Sequence, residues 1–167
     1  MKYLENWYQE QIKNHILELD TIQLAILQQL DQFITKFAAQ NFLSHFFNKP
    51  KQLGFYIYGD VGSGKTMIMN QMFELFPTKD KLRLHFHQFM SDIHHDLANL
   101  VQKDNPLKII AQKLKKQYKI IFLDEMHVSD IATAMILKNL FLSLFKEQIY
   151  IITSSNFHPD QLYNDGL

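Results

Sequence analysis

The segment Gly59-Asp60-Val61-Gly62-Ser63-Gly64-Lys65-Thr66 decides the fold of this chain, because it matches the phosphate-binding pattern G-x-x-x-x-G-K-[ST]. An apolar run at 54–58, which predicts a buried strand, comes before it, and an apolar-rich stretch at 67–76, which predicts a helix, comes after it. The glycines let backbone N–H groups converge on phosphate oxygens, and the helix N-terminus adds its positive end. A chance Gly-rich turn is the alternative, and the flanking strand and helix argue against it.

Two side chains at the end of this glycine loop predict the ligand. Lys65 is expected to reach the β- and γ-phosphates of ATP, and the Thr66 hydroxyl is expected to ligate Mg²⁺. The loop therefore predicts a site for ATP and Mg²⁺.

A second apolar run ends in two acids. The segment Ile120-Ile121-Phe122-Leu123-Asp124-Glu125 predicts a buried strand whose carboxyl end carries the carboxylates, where α/β sheets bind ligands. We expect Asp124 to hold Mg²⁺, directly or through water, and Glu125 to polarise the attacking water as a general base. Small-molecule kinases seldom need this second acid, so the pair favours hydrolysis over phosphoryl transfer. Two solvated acids at a strand end are the alternative, which the upstream glycine loop disfavours.

The next predicted strand ends in the polar residues Thr153-Ser154-Ser155-Asn156. We expect Asn156 to orient the water or to sense the γ-phosphate. Ser and Asn also cap helices, and Pro159 begins a turn just afterwards, so residue type alone leaves the capping role open.

Composition limits the class of protein. Hydrophobic residues make up 47% of the 167 residues and charged residues 20%, which is typical of a soluble globular domain. The 17 basic and 17 acidic residues balance, which argues against broad binding to nucleic acid or acidic membranes. There is no cysteine, no apolar run long enough to span a membrane, and no secretory or transit signal, so we expect a cytoplasmic protein. Arg83 is the single arginine.

The pattern along the chain predicts an α/β three-layer α/β/α fold with a parallel sheet, preceded by a helical extension over residues 1–50. Asp20 is expected to cap a helix of that extension. The strands are predicted at about 55–58, 82–87, 119–123 and 149–153, and the later helices at about 67–76, 89–101, 106–117 and 129–145, with a helical turn at 159–164.

Taken together, these motifs resemble the ZapE/AFG1-like ATPases of the AAA+ superfamily of P-loop NTPases. The likeness rests on four segments. The first is the helix start Asp20-Thr21-Ile22-Gln23, and the second is the second-strand signature Arg83-Leu84-His85-Phe86-His87-Gln88-Phe89-Met90 with Ile93-His94 and Leu97. The third is the extended Walker B segment Asp124-Glu125-Met126-His127-Val128-Ser129-Asp130-Ile131-Ala132 through Leu137, and the fourth is the sensor 1 region Ser154-Ser155-Asn156 with Pro159, Leu162-Tyr163 and Gly166-Leu167. Met126 stands where an aromatic residue is usual, and Thr133 where an acid is common.

The resemblance implies an ATPase that works as a homo-oligomer. Bacterial relatives associate with the division ring and FtsZ, whereas mitochondrial relatives act in inner-membrane protein quality control, and the lack of a transit peptide favours the bacterial setting. It also implies that residues 51–167 form a C-terminally truncated AAA+ domain without the arginine finger, the fifth strand of the 5-1-4-3-2 sheet, or the C-terminal region. Because such a finger contributes roughly 10³–10⁵ in rate, we expect slow hydrolysis by this chain alone.

The histidines and the remaining hypotheses stay open at this point. His85 and His87, predicted on one strand face, lack the further ligands of a metal site, so a structural or interface role is favoured. His127 is expected to pack beside the Asp-Glu pair. A nucleotide-gated binding module without useful hydrolysis is one alternative function, and a helicase-loader-like P-loop protein that binds single-stranded DNA is another.

Overall fold

The computed structural model describes residues 2–42, 52–100 and 103–162. Contacts within the chain divide it into two units. The first unit comprises Met1–Pro50 and Thr66–Pro77, and the second comprises Lys51–Lys65 and Thr78–Leu167.

The first unit is helical. It contains α1 (Tyr3–Lys13), α2 (Thr21–Phe42) and all but the first residue of α3 (Lys65–Leu75). Asp20 caps α2 as predicted, since its Oδ1 accepts hydrogen bonds from the backbone N–H groups of Ile22 at 2.8 Å and Gln23 at 3.1 Å. The continuation of this helix that we predicted to residue 48 lies outside the described residues beyond Phe42.

Aromatic and aliphatic side chains make the core of this unit. The Phe76 ring lies 4.6 Å from the Phe37 ring and 6.2 Å from the Phe33 ring, measured between centroids. The side chains of Leu27, Leu30, Ile34, Met69 and Met72 are fully buried. Leu27, Leu30, Ile34 and Phe37 of α2 recur at helical spacing and are buried, whereas Ile22 in the first turn is exposed.

The second unit contains a parallel sheet. Its strands are β1 (Gly54–Tyr58), β2 (Lys81–His85), β3 (Ile120–Asp124) and β4 (Tyr150–Ser155), in the order β1-β4-β3-β2. This order is the predicted order of strands one to four, and the α/β class with a parallel sheet is confirmed. All four strands point the same way, so the segments that follow them emerge at one edge.

The described part of this unit contains the α-helices α4 (Phe86–Ala98), α5 (Pro106–Lys115) and α6 (Ile131–Lys146). They share one core with one face of the sheet, which includes Phe89, Ile110, Leu123, Leu140 and Ile151. The other face is buried as well, because the side chains of Phe122 and Ile152 are inaccessible to solvent. Burial on both faces explains why the strands have continuous apolar runs instead of alternating ones.

Two predicted boundaries shift in an informative way. The second strand ends at His85, so His87 lies in α4 and the prediction that the two histidines share a strand face is wrong. The helix starts at Phe86 because Phe86, Phe89, Met90 and Ile93 repeat at helical spacing and are all buried. Pro106 occupies the first turn of α5, as predicted.

The segment after β4 contains a short helical turn. A single 3₁₀ turn spans Pro159–Gln161, and the predicted extension of that turn lies outside the described residues after Leu162. Among the helices in the described ranges, none combines the length and the apolar character needed to cross a membrane.

Candidate nucleotide site

The glycine loop joins β1 to α3, as the sequence predicted. Its backbone has positive φ at Gly62 (85°) and Gly64 (86°), a conformation that side-chain-bearing residues seldom adopt. Asp60, Val61 and Ser63 are exposed, and Thr66 is exposed as the second residue of α3. The pattern thus places its glycines where the backbone turn needs them.

Lys65 closes the loop on itself. Its Nζ donates hydrogen bonds to the carbonyl oxygens of Gly59 and Asp60, both at 2.7 Å, and to Ser63 Oγ at 3.3 Å. The ammonium group is therefore held over the loop by three oxygen acceptors. A cation in this position, beside a turn rich in backbone N–H groups, suits an anionic ligand such as a phosphate chain.

Asp124 ends β3 and pairs with an arginine. Arg83 Nε donates to Asp124 Oδ2 at 2.7 Å, and the side chains of Arg83 and Asp124 are 22% and 13% exposed. Arg83 pairs with Phe122 in the β2–β3 ladder, and Phe122 lies two residues before Asp124. The side chains of Arg83 and Asp124 therefore project from the same face of the sheet. The pair is a charge-assisted hydrogen bond shielded from most solvent.

Ser154 of β4 connects the two acids. Its hydroxyl lies 3.5 Å from Asp124 Oδ1, and its Oγ accepts a hydrogen bond from the Glu125 backbone N–H at 3.2 Å. The next N–H, that of Met126, donates to the Ser154 carbonyl at 2.7 Å. These bonds hold the chain as it turns away from β3 at Glu125, whose φ of 58° lies in the left-handed region.

Glu125 projects outward from this turn. Its side chain is 77% exposed, and its Oε2 lies 3.8 Å from Nδ1 of His85, which is 59% exposed. The carboxylate is therefore open to water, as a general base for hydrolysis requires. His85 also stacks on His87, with ring centroids 5.9 Å apart.

Asn156 follows the end of β4 and is exposed, in contrast to Ser154 and Ser155, which are buried. Ser155 Oγ donates to the Met126 carbonyl at 2.6 Å and accepts from the Phe157 N–H at 3.1 Å. The residue that bonds both acids is thus Ser154, which the sequence analysis did not single out. The polar run from Thr153 to Asn156 is the sequence signal for this contact. Alternate side chains of a strand lie on the same face of the sheet, so a polar side chain of this run is expected on the face that carries Asp124 of the neighbouring strand.

Aromatic rings border the same edge of the sheet. His127 stacks on Phe157 at a centroid distance of 4.8 Å, and Tyr58 meets His158 edge-on at 4.8 Å. Burial raises the pKa of Tyr56, whose hydroxyl donates to the Phe157 carbonyl at 2.8 Å. That phenol therefore stays protonated and holds the segment after β4 near β1.

The carboxylate at the end of β3 fits a magnesium ion. Across the described ranges, no group of three or more His, Asp and Glu side chains is arranged to hold a metal ion. Mg²⁺ typically binds one or two protein oxygens and takes its other ligands from phosphates and water. A single mostly buried carboxylate at Asp124 suits that mode.

Comparisons with known proteins identify relatives. The family model described as AFG1-like ATPase matches residues 3–167. Cell division protein ZapE of Escherichia coli (strain K12) is 42% identical over 114 residues, which are 68% of this chain and 30% of that protein. Among solved structures, AMPPCP-bound DnaA from Aquifex aeolicus has a TM-score of 0.60 at 16% identity and covers 89% of this chain and 43% of its own. The DnaC helicase loader has a TM-score of 0.55 at 14% identity over 87% of this chain and 76% of its own.

The sheet order and the glycine loop define the class, a P-loop ATPase fold of the AAA+ type, and the solved structures share that fold. Within this class, the chain belongs to the AFG1-like ATPase family. The resemblance found in its motifs is thereby confirmed. The chain spans about a third of the length of ZapE, so the activity and partners of that longer protein are only proposed for this chain.

Proposed function

We propose that this chain binds ATP with Mg²⁺ at the 59–66 loop and hydrolyses it. Lys65 contacts the β- and γ-phosphates, and Thr66 and Asp124 hold the cation. The observation that carries the proposal is the Lys65 ammonium gathered over the loop by Gly59, Asp60 and Ser63.

Glu125 after β3 and Asn156 after β4 have different roles in hydrolysis. Glu125 takes a proton from the attacking water, because its exposed carboxylate is free to approach one. Asn156 orients that water or contacts the γ-phosphate from its exposed position after β4. The Mg²⁺ ion supplies charge neutralisation for the phosphates when bound.

We propose that the 167 residues alone hydrolyse ATP slowly. P-loop ATPases gain large rate factors from an arginine that reaches the transferring phosphate. The single arginine of this sequence, Arg83 on β2, is bonded to Asp124 at the end of β3, so it already has another partner.

Phosphate release from radiolabelled ATP tests the proposal with Glu125→Gln, which keeps the shape of the side chain and removes the base. We expect the variant to bind ATP like the wild type and to release phosphate at least tenfold more slowly. Glu10→Gln on α1 is the matched control and should leave the rate unchanged. Equal rates for wild type and Glu125→Gln would contradict hydrolysis and favour the nucleotide-gated binding module.

The cellular role is proposed from the relative. The 42% identity to a protein named for cell division supports a role of this chain in division. We propose a division-ring protein such as FtsZ as its partner and assembly of several copies, as the family resemblance implies. Pull-down of purified FtsZ with and without ATP tests this, and absence of binding in both states would contradict it. The likeness to DnaC shows the fold alone and does not favour DNA binding.

A further inference from the structure

Arg83 is a charged group bonded to Asp124, the proposed cation ligand. Its Nε lies 2.7 Å from Asp124 Oδ2, while the other oxygen, Oδ1, has within the described part of the chain only the 3.5 Å contact with the Ser154 hydroxyl. The carboxylate is thus engaged strongly on one oxygen and weakly on the other. A cation that binds Asp124 therefore approaches a carboxylate that is already hydrogen-bonded to Arg83.

Burial gives that pairing energetic weight. Only 22% of the Arg83 side chain and 13% of the Asp124 side chain are exposed, so solvent screens their charges less than at an open surface. Arg83 carries a guanidinium group, a cation that donates hydrogen bonds and accepts none. Its positive charge lowers the affinity of the same carboxylate for a second cation, because the two positive charges repel each other across one anion.

We infer that Arg83 is a positioning residue that acts through Asp124: its guanidinium competes with the divalent cation for the carboxylate and thereby sets the Mg²⁺ concentration that nucleotide binding requires. This inference rests on the proposed function. It makes the Arg83–Asp124 bond a reporter of the cation, since the bond weakens when Mg²⁺ binds with the nucleotide.

The single arginine makes this bond directly observable. Protein labelled with ¹⁵N-arginine gives one side-chain Nε–H signal, which belongs to Arg83. With the non-hydrolysable analogue AMPPCP and excess EDTA, we expect the signal to keep the proton frequency of a carboxylate-bonded N–H. Stepwise addition of Mg²⁺ should move it to lower proton frequency, with a midpoint equal to that of nucleotide binding.

A fluorescent ATP analogue, titrated with Mg²⁺ in parallel samples without AMPPCP, separates the two claims. If the wild type shows no Mg²⁺-dependent nucleotide binding, the proposed function fails. If nucleotide binding saturates with Mg²⁺ while the Arg83 signal stays in place, the proposed function stands and the competition is overturned.

Variants test the sign of the effect. Arg83→Gln removes the competing charge, so the Mg²⁺ midpoint for binding the fluorescent analogue should fall by roughly three- to tenfold. Arg83→Lys retains the charge and should keep a midpoint within about twofold of the wild type. A raised or unchanged midpoint in Arg83→Gln, or a Lys variant that matches the Gln variant, would overturn the inference.

Lys113→Gln is the matched control, because it removes an exposed ion pair with Asp96 elsewhere in the same unit and should leave the midpoint unchanged. Thermal unfolding of each variant is recorded alongside. A purely structural role for Arg83 would lower the unfolding midpoint of Arg83→Gln and leave its Mg²⁺ midpoint at the wild-type value, which would also overturn the inference.

Discussion

At the scale of single residues, the two serines that end β4 divide into one that touches the acids and one that does not. Ser154 bonds the Glu125 N–H and lies beside Asp124, whereas Ser155 bonds Met126 and Phe157. Both are buried and similar in size, so they form a natural pair for comparison.

Ser154→Ala is expected to lower the free energy of unfolding by about 0.5–1.5 kcal/mol, since one hydrogen bond to a backbone N–H is lost. It should also slow phosphate release by several fold, because the turn at Glu125 loses the bond that fixes it. Urea unfolding and steady-state phosphate release check both parts. Ser155→Ala should lose comparable stability and keep its activity, so equal activities for the two variants would contradict the role of Ser154.

At the scale of elements, helix ends carry much of the polar bonding. Helix α1 has no side-chain cap of its own, and the buried carboxylate of Asp31 on α2 takes that place. Its two oxygens accept from the N–H groups of Leu4 and Glu5, each at 2.9 Å. A carboxylate at a helix N-terminus also interacts favourably with the helix dipole.

Asp31→Ala is expected to cost about 1–3 kcal/mol of stability, because one buried and one partly buried N–H group lose their acceptor. Asp31→Asn keeps an acceptor oxygen and should cost less. Chemical denaturation monitored by circular dichroism measures both, with the exposed neighbour Gln32→Ala as control. If Asp31→Ala and Gln32→Ala unfold at the same denaturant concentration, the capping account is wrong.

Helix α6 begins with a cap that responds to pH. Asp130 Oδ1 accepts from the Thr133 N–H at 2.8 Å, and this backbone hydrogen bond is the main cause that lowers the pKa of Asp130 from its ordinary value of 3.8. The ionised carboxylate therefore stabilises the fold above that value, and the contribution disappears as pH falls through the lowered pKa.

We therefore expect the wild type to unfold at higher denaturant concentration than Asp130→Ala at pH 7, and the gap to narrow as pH falls below about 3.8. Denaturation midpoints of both proteins across this range provide the measurement. A gap that stays constant from pH 7 down to pH 3 would show that ionisation of Asp130 contributes nothing.

The elements also show how far the sequence alone leads. The predicted strands and helices that fall within the described residues are present there, because long apolar runs and turn residues are local signals. The predicted helix beyond Phe42 and the end of the turn after Leu162 lie outside those residues. The sequence predicts that β2 continues to His87, two residues beyond its end at His85. The alternation of polar and apolar side chains continues through Phe86 and His87, but these two residues form the first turn of the buried helix α4. Such boundaries depend on which partner buries the aromatic rings.

At the scale of the whole molecule, the sheet order was predictable and the Arg83–Asp124 bond was not. Order came from the resemblance of the motifs to a family, whereas the ion pair depends on the register of β2 against β3. Register places Arg83 opposite Phe122 and so next to Asp124, and no local pattern encodes that distance. The contact of Ser154 with the same acid depends on the register of β3 against β4 in the same way.

The central claim is that the 59–66 loop binds nucleotide phosphates through Lys65, and the dissociation constant of a fluorescent ATP analogue tests it most directly. Wild-type protein, Lys65→Ala and the control Lys119→Ala, which loses only an exposed pair with Asp80, are titrated at saturating Mg²⁺. We predict binding by the wild type and the control, and at least roughly tenfold weaker binding by Lys65→Ala, because charge-assisted bonds to phosphate are lost. Equal affinity of Lys65→Ala and wild type would contradict the account.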